Sequence, residues 1–312
     1  MSRRTRVYLA LGSNLGDRLD YFQRALDALG SAARLQRVGQ IYETEPWGIT
    51  DQPRFLNTAV EAETALAPLD LLMILKTLEA SLGRQATVRY GPRVIDIDIL
   101  LYGSQAVNEP GLEIPHPRMA ERAFVLAPLA DLAPDLHPPG WTRTIREQLE
   151  TLDCSGVRPY PAALLKVTLQ PAGPKGGSAL VQLPAEVSQA LGQTGRAPVR
   201  CRFDSVEFRS SIFPNSDGTH YLVLNQQVRA TSGSKPGDDN LLRIEPDHEP
   251  RVVEIPADLQ AALRTSPAAA ARLEKMSYTH IKEYVDHVQS ARTPETRARR
   301  IQKMLNELNK KS

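Results

Sequence analysis

The order of the predicted elements in this chain of 312 residues indicates an α+β domain, followed by a small β-rich domain and a short helical domain. In residues 1–160, strand and helix patterns alternate as β-α-β-β-α-β, the order of the ferredoxin-like fold. Residues 161–250 contain short strand-like runs separated by turn residues, and residues 251–312 have apolar residues at helical spacing. At roughly 100–200 residues per domain, the length alone predicts two or three domains, and the pattern of elements indicates three.

The first domain is predicted from the period of its apolar residues, which is two in the strands and 3.6 in the helices. A run from Trp141 to Leu152 adds a helix, and 153–163, with Gly156, Pro159 and Pro161, is predicted to be a linker. The six elements before them are a strand at 6–11, a helix at 18–29, strands at 35–43 and 56–64, a helix at 69–82 and a strand at 95–102.

The second half changes pattern twice. Its strand-like runs lie at 164–169, 179–183, 199–203, 206–208, 221–224 and 241–244. From Pro256 onward the sequence favours helices, with Ser277 and Thr293 placed as N-caps and Pro294 at a first helical position. We therefore expect a helical hairpin or short bundle at the end.

Composition excludes several classes of protein. The net charge is +2, and Cys154 and Cys201 are far apart, so neither a strong polyanion binder nor a disulfide framework is indicated. No run approaches the roughly 20 apolar residues of a membrane span, and a reducing cytoplasm is the expected compartment. Residues 272–312 carry ten basic and five acidic residues, which we interpret as a solvated helix face.

The segment Gly91–Tyr102 contains the strongest chemical signal. In a strand, side chains alternate between faces, so Asp96 and Asp98 project to one side, roughly 7 Å apart, and Ile95, Ile97 and Ile99 to the other. Two carboxylates at this spacing suit Mg²⁺, which completes its shell with water and substrate phosphates, and Arg93 lies just upstream to bind the same phosphates. The alternative is two aspartates on the wet face of an amphipathic strand.

Six ordered motifs give this segment a context. The first domain resembles the 6-hydroxymethyl-7,8-dihydropterin pyrophosphokinase family, enzymes of folate biosynthesis. The motifs are L-G-S-N-L-G-D-R at 11–18, Y-E-T-E-P-W-G at 42–48, D-Q-P-R-F-L-N at 51–57, L-G-R at 82–84, G-P-R-V-I-D-I-D-I-L at 91–100 and I-P-H-P-R-M-A-E-R-A-F at 114–124.

The resemblance implies a ferredoxin-like enzyme that transfers the β,γ-pyrophosphoryl group of ATP to the hydroxymethyl oxygen of the pterin, with release of AMP. It implies two Mg²⁺ ions held by Asp96 and Asp98, and catalytic roles for these two residues with Arg84 and Arg93. The implied ATP-binding residues are Glu79, Arg89, Arg93, His116 and Arg122, and the implied pterin-binding residues are Thr44, Trp47, Phe55, Asn57 and Phe124.

Two positions depart from the family pattern. The family supplies a second arginine two residues after Arg84, where this chain has Ala86. Tyr90 replaces the usual tryptophan before Gly91 and presents a smaller aromatic surface. We expect activity, at a lower rate.

The second half resembles families without an assigned reaction. Residues 164–245 are similar to an uncharacterised bacterial domain of small β-barrel type, and residues 254–308 to the bacteriocin-protection, YdeI/OmpD-associated family. The expected ligands are ATP and the pterin, without membrane or nucleic acid, and a protein partner of the C-terminal half is left open. The alternative function is a non-catalytic binding protein, with a decayed kinase domain and a basic tail that recruits nucleic acid or a protein.

Overall fold

The chain forms two compact units, residues 1–247 and residues 248–312. A computed structural model describes residues 4–30, 32–85, 90–172, 178–192, 194–235 and 237–310. The first unit contains both the α+β domain and the β-rich domain. No helix within these described ranges is long and apolar enough to span a membrane.

The α+β domain has the predicted ferredoxin-like order. Its sheet runs β5-β1-β4, and both β2 and β3 pair with β4, with all pairings antiparallel. The elements are β1 (Thr5–Ser13), α1 (Arg18–Leu29), β2 (Arg34–Val38), β3 (Tyr42–Thr44), β4 (Phe55–Thr64), α2 (Pro68–Ser81) and β5 (Asp96–Tyr102).

The strand predicted at 35–43 is two strands, β2 and β3, separated at Gly39. The Gly39 amide still donates to the Ala59 carbonyl at 2.9 Å, but a Cβ at this position would lie 2.5 Å from the Pro128 carbonyl oxygen. Glycine is therefore required here by the close approach of another backbone segment. Apolar periodicity does not reveal such a contact, because Pro128 is distant in the sequence.

Both faces of the sheet are covered. Val7, Leu9 and Leu11 of β1 belong to the core beneath α1 and α2, whereas Tyr8 lies in a second core on the other face. That second core is built on helices that follow β5. The remaining elements of the domain are β6 (Val107–Glu109), β7 (Leu112–Ile114), a 3₁₀ turn (Met119–Glu121), α3 (Ala123–Leu132), α4 (Ile145–Leu149) and β8 (Val157–Pro159).

The end of the domain differs from its sequence prediction. The helix predicted at 141–152 is shorter, and α4 starts at a capping box in which Thr144 and Glu147 each bond to the other's backbone amide. The segment predicted as a linker contains β8, which pairs with β3. Pro159 is tolerated there because β8 lies at the edge of the sheet.

The β-rich domain is a nearly closed barrel. Its strand order is β10-β11-β14-β13-β12-β15-β9, and only Leu169 separates β9 from β10, so the two ends of the sheet are consecutive in the chain. We call β9 to β15, with two short helices, the barrel: β9 (Ala163–Thr168), β10 (Gln170–Ala172), β11 (Ser178–Leu183), α5 (Ala185–Ala190), β12 (Ala197–Phe203), β13 (Val206–Pro214), β14 (His220–Leu224), α6 (Gln226–Ser232) and β15 (Asp239–Pro246).

Over its described residues, 248–310, the second unit is a bundle of four helices around its own apolar core. The N-cap predicted at Ser277 is confirmed, since its hydroxyl accepts from the His280 amide, and Thr293 accepts from the Thr296 amide before α10. The helices are α7 (Ala257–Arg264), α8 (Pro267–Glu274), α9 (Tyr278–Gln289) and α10 (Pro294–Lys310). Leu259, Leu273 and Val288 are buried among them.

Candidate active site

Asp96 and Asp98 lie side by side on β5, as the alternation of the sequence predicts. Both are half-buried, whereas Ile97 and Ile99 point into the core on the opposite face. In the register with β1, Asp96 is opposite Gly12 and Asp98 is opposite Ala10. These two small neighbours leave open space beside the carboxylates.

Two arginines hold the Asp96 carboxylate. Arg84 Nη1 lies 2.5 Å from Asp96 Oδ1, and Arg93 Nη1 donates to Asp96 Oδ2. Burial opposes ionisation of Asp96, but Arg93, Arg84 and Lys76 outweigh that penalty and hold its pKa below the usual range. Asp96 is therefore a stable carboxylate at neutral pH.

Glu79 connects α2 to the same cluster. It is only 2% exposed, and its carboxylate accepts from the Ile97 amide at 2.6 Å, from Lys76 at 2.9 Å and from Arg84 at 2.5 Å. Burial raises the pKa of Glu79, against the opposing effect of Lys76, the Ile97 amide and Arg84. Because protein donors surround this carboxylate, we expect Glu79 to position Arg84 and β5, and its predicted contact with ATP stays a prediction.

His116 and Arg122 both lie close to Asp98. The Arg118 amide donates to His116 Nδ1 at 3.2 Å, which leaves Nε2 to carry the proton of the neutral ring. Burial lowers the pKa of His116, although Asp98 pulls it upward, so the ring is neutral at pH 7. His116, Lys76 and Asp98 line a cleft whose apolar side is formed by Leu72 and Leu112.

The five residues predicted for the pterin line a second cleft, here called the aromatic cleft, which shares Asp98 with the first. They are Thr44, Trp47, Phe55, Asn57 and Phe124, and Arg93, Asp96, Asp98 and Arg122 line the same cleft. The Arg122 guanidinium lies 5.4 Å from the Trp47 ring centroid and 5.6 Å from that of Phe124. Arg122 thus forms the border between the aromatic side chains and the carboxylates.

Asn57 and Thr44 form the polar end of this cleft. They lie on neighbouring strands, and Asn57 Nδ2 donates to Thr44 Oγ1 at 2.8 Å in a buried hydrogen bond. A Cβ at Gly12 would lie 3.1 Å from Asn57 Oδ1, so the glycine gives the amide its space. The pair offers an amide and a hydroxyl to the edge of a polar heterocycle.

The structure adds three residues that the sequence did not assign to the site. Asn14 is buried and bridges three segments, because its Oδ1 accepts from the Arg93 amide at 2.7 Å and its Nδ2 donates to the Pro53 carbonyl at 3.0 Å. Lys76 lies 3.6 Å from Asp98, and Arg118 donates to the Tyr90 hydroxyl. Asn14 and Arg118 fall inside two of the quoted motifs, which is the signal that could have identified them.

Three positions after Arg84 that the sequence singles out have different outcomes. Arg89 and Ala86 lie outside the described residues. Tyr90 is described, with a left-handed φ of 65° that is uncommon for a non-glycine residue. Its ring lies edge-on to Trp47, with 5.2 Å between centroids. The tyrosine that replaces the family's tryptophan therefore lines the aromatic cleft beside Trp47.

Comparisons with known proteins place each part of the chain. A family model described as 7,8-dihydro-6-hydroxymethylpterin-pyrophosphokinase (HPPK) matches residues 8–134. A domain of unknown function, DUF1905, matches residues 166–244, and a family described as Bacteriocin-protection, YdeI or OmpD-Associated matches residues 252–311. The last two descriptions agree with the fusion that the sequence predicted.

Several relatives carry the name 2-amino-4-hydroxy-6-hydroxymethyldihydropteridine pyrophosphokinase. The protein of Pseudomonas aeruginosa is 47% identical over 160 residues, which are 51% of this chain and 98% of that protein. The Methylorubrum extorquens protein is 47% identical over 49% of this chain and 97% of its own length. The Bacillus subtilis protein is 49% identical over 40% of this chain and 77% of its own length. By its first domain, the chain belongs to the HPPK family.

Proposed function

We propose that this protein transfers pyrophosphate from ATP to 6-hydroxymethyl-7,8-dihydropterin and releases AMP, a step of folate biosynthesis. One observation carries the proposal: Asp98 lines both clefts, and Asp96 beside it lines the aromatic one. A carboxylate pair between two clefts suits a reaction that joins two substrates at a phosphate group.

The carboxylate pair fits magnesium. Mg²⁺ takes hard oxygen ligands, commonly one or two protein carboxylates, and fills its octahedron with water and phosphate oxygens. Among the described residues, no three His, Cys, Asp or Glu side chains come together as metal ligands. Asp96 and Asp98 would hold the magnesium of the nucleotide, two ions by resemblance to the family, and bound magnesium would neutralise phosphate charge during transfer.

The aromatic cleft binds the pterin in this proposal. Phe55 and Phe124 stack on the two faces of the flat ring, and Asn57 and Thr44 bond to its edge, because a buried polar edge without partners would cost about 1–3 kcal/mol per group. Trp47, which is 46% exposed, covers the outer side. This arrangement directs the hydroxymethyl group toward the aspartates.

In this proposal ATP binds in the other cleft, the one lined by Lys76, Asp98 and His116. Arg84 and Arg93 both bind the Asp96 carboxylate in this structure and can turn toward the phosphates of the nucleotide. Arg122 and the Nε2–H of His116 are two further donors for these phosphates. The hydroxymethyl oxygen bonds to the β-phosphorus, the bond from that phosphorus to the oxygen bridging to the α-phosphorus breaks, and AMP leaves with that oxygen. The hydroxyl proton passes to solvent. The protein acts here by positioning substrates and balancing charge.

The direct test measures AMP formed from ATP and 6-hydroxymethyl-7,8-dihydropterin with Mg²⁺. We expect wild-type protein to release AMP only when the pterin is present, and Asp96→Asn to lose about a hundredfold or more of kcat, as for other removals of charge stabilisation at a reacting group. Asp70→Asn, an exposed carboxylate on the first turn of α2, is the matched control and keeps full activity. Absence of pterin-dependent AMP, or full activity of Asp96→Asn, would refute the proposal.

A further inference from the structure

The barrel and the α+β domain share an apolar core. Leu164 of β9 and Leu241 of β15 belong to the same buried cluster as Phe22 and Leu26 of α1, together with Ala162 just before the barrel. The barrel therefore packs on α1 with apolar side chains that would otherwise face water. Burial of this kind is the main stabilising contribution to domain contacts.

A polar border surrounds this apolar centre. Gln23 of α1 is fully buried and donates to the Asp204 carbonyl at 3.1 Å. Arg202 of β12 donates from Nη1 to Asp20 of α1 and from Nε to the same Asp204 carbonyl at 3.1 Å. Partly buried charged hydrogen bonds with fixed geometry are stronger than exposed pairs. We call these contacts, with the apolar centre, the seam.

One barrel arginine depends on the start of α1. Arg243 is 5% exposed, and its nearest carboxylates are Glu207 at 3.6 Å, Asp17 at 3.9 Å and Glu245 at 3.9 Å. A buried guanidinium needs neighbouring negative charge. Asp17 is also the N-cap of α1, where its carboxylate accepts from the Asp20 amide at 3.0 Å. The barrel therefore contacts the cap of α1 as well as its first turn.

Arg18, the residue after this cap, fastens the loop at 45–54 that connects β3 to β4. Its Nη1 donates to Glu43 Oε1 at 3.0 Å and to the Arg54 carbonyl at 2.9 Å. Glu43 directly precedes Thr44, and Arg54 directly precedes Phe55. The Arg18 guanidinium thus joins the two ends of a loop that carries Trp47. The residues that flank this loop, Thr44 and Phe55, are proposed to bind the edge and one face of the pterin.

We infer that the barrel is a positioning element for the pterin side of the active site, acting through α1 and Arg18 on the loop at 45–54. The inference rests on the proposed function, because its consequence is a lower KM for the pterin. Binding of a flat ring requires stacking groups to be held within a fraction of an ångström, and a supporting shell provides that precision. None of the contacts in the seam involves the residues of the ATP cleft.

The experiment uses the full chain and a charge swap across the seam. Arg202→Asp places like charges beside Asp20, so we expect KM for the pterin to rise about tenfold, the size of one lost charged hydrogen bond, while KM for ATP stays within about twofold. The double variant Asp20→Arg/Arg202→Asp restores opposite charges and returns KM for the pterin to within about threefold of wild type. The control is Arg196→Gln, which should change neither KM, because the exposed Arg196 guanidinium lies 5.2 Å from the Phe213 ring centroid and makes none of the contacts in the seam.

Hydrogen–deuterium exchange supplies a second readout that a purely structural contact would not change. In Arg202→Asp we expect faster exchange in the loop at 45–54, which Arg202 does not contact, and a return to the wild-type rate in the double variant. If Arg202→Asp does not fold, Arg202→Gln replaces it with the same direction of effect.

The outcomes separate the two proposals. If the wild type is active but the folded Arg202 variants have an unchanged KM for the pterin, the role of the barrel is refuted and the proposed function is not. An equal rise in both KM values, or no rescue by the double variant, has the same meaning. A wild type without pterin-dependent AMP release refutes the proposed function and this inference together.

Discussion

Lys76 is the only lysine among residues 1–160, and it contributes to the charge balance of the site. Three carboxylates, Glu79, Asp96 and Asp98, face three cations, Lys76, Arg84 and Arg93, within hydrogen-bonding or ion-pair distance. Lys76 also donates to the Ile97 carbonyl at 3.1 Å. Through Glu79 and Ile97, its ammonium group joins α2 to the strand that carries the aspartates.

Replacement of Lys76 by methionine should therefore destabilise the first unit. Glu79 is buried and would lose one of its donors, and because the lysine is partly exposed we expect a loss of about 1 kcal/mol in the free energy of unfolding. Urea denaturation followed by tryptophan fluorescence measures it, since Trp47 and Trp141 both lie in this unit. Lys76→Arg keeps the cation and should lose less. Equal stability of wild type and Lys76→Met would show that the ion pair contributes nothing.

At the scale of single residues, the sequence predicts what local periodicity determines. Asp96 and Asp98 face one side because strand geometry requires it, and the motifs indicate which side chains to inspect. Asn14 could not be assigned in this way, because its role depends on Arg93, 79 positions later in the chain. Lys76 was missed for a similar reason, since its neighbours Ile97 and Asp98 belong to an element that only the fold brings close.

At the scale of elements, the segments with a strong apolar period were predicted, whereas the short strands and the ten-residue helix α3, which is buried on nearly all sides, were not. β3 and β8 contain three residues each, too few for a periodic signal, and they form through pairing with each other and with β4. The break at Gly39 reflects the approach of Pro128. The helices of the second unit, in contrast, were indicated by their apolar stripes and by the Ser277 and Thr293 caps.

The helices α7 and α10 are joined by a pair whose pH dependence can be predicted. Arg297 donates to both oxygens of Asp258, at 2.5 and 2.9 Å, and this contact lowers the pKa of Asp258 to about 2. A lowered folded-state pKa means that the stabilisation is present above pH 3.8 and is lost as the pH falls toward 2. We expect carbon-detected NMR of the full chain to give an Asp258 midpoint near 2.

Arg297→Gln tests the cause of that shift. Without the guanidinium, the Asp258 midpoint should rise toward 3.8, because a hydrogen bond to the charged form is its largest source. Arg299→Gln, on the same helix, is the matched control and should leave the midpoint unchanged. A midpoint near 2 in Arg297→Gln would mean that other contacts stabilise the carboxylate.

At the scale of the whole molecule, three sequence domains correspond to two compact units. The sequence predicts boundaries near residues 160 and 250, and in the structure the boundary between the two compact units falls between residues 247 and 248. The change of composition near residue 160 marks a change of fold, but it carries no information on whether the two folds share a core. Leu164 and Leu241 appear in the sequence as ordinary barrel residues, although they pack into the cluster beneath α1.

The barrel shares a core with the α+β domain, whereas residues 248–312 form a separate compact unit. We therefore expect two truncations to have unequal effects. A chain ending at Asp247 keeps the whole first unit and every proposed active-site residue, so we expect its KM for both substrates to stay within about twofold of the full chain, and its thermal midpoint to be unchanged. A chain ending at Tyr160 exposes to water the part of the α1 core that Leu164 and Leu241 cover, and water replaces the barrel partners of Gln23 and Asp20. Each square ångström of apolar surface that becomes exposed costs about 25 cal/mol. We therefore expect the shorter chain to unfold at a lower temperature, as measured by circular dichroism. Equal midpoints for the two truncated chains would mean that the barrel contributes nothing to the stability of the α+β domain.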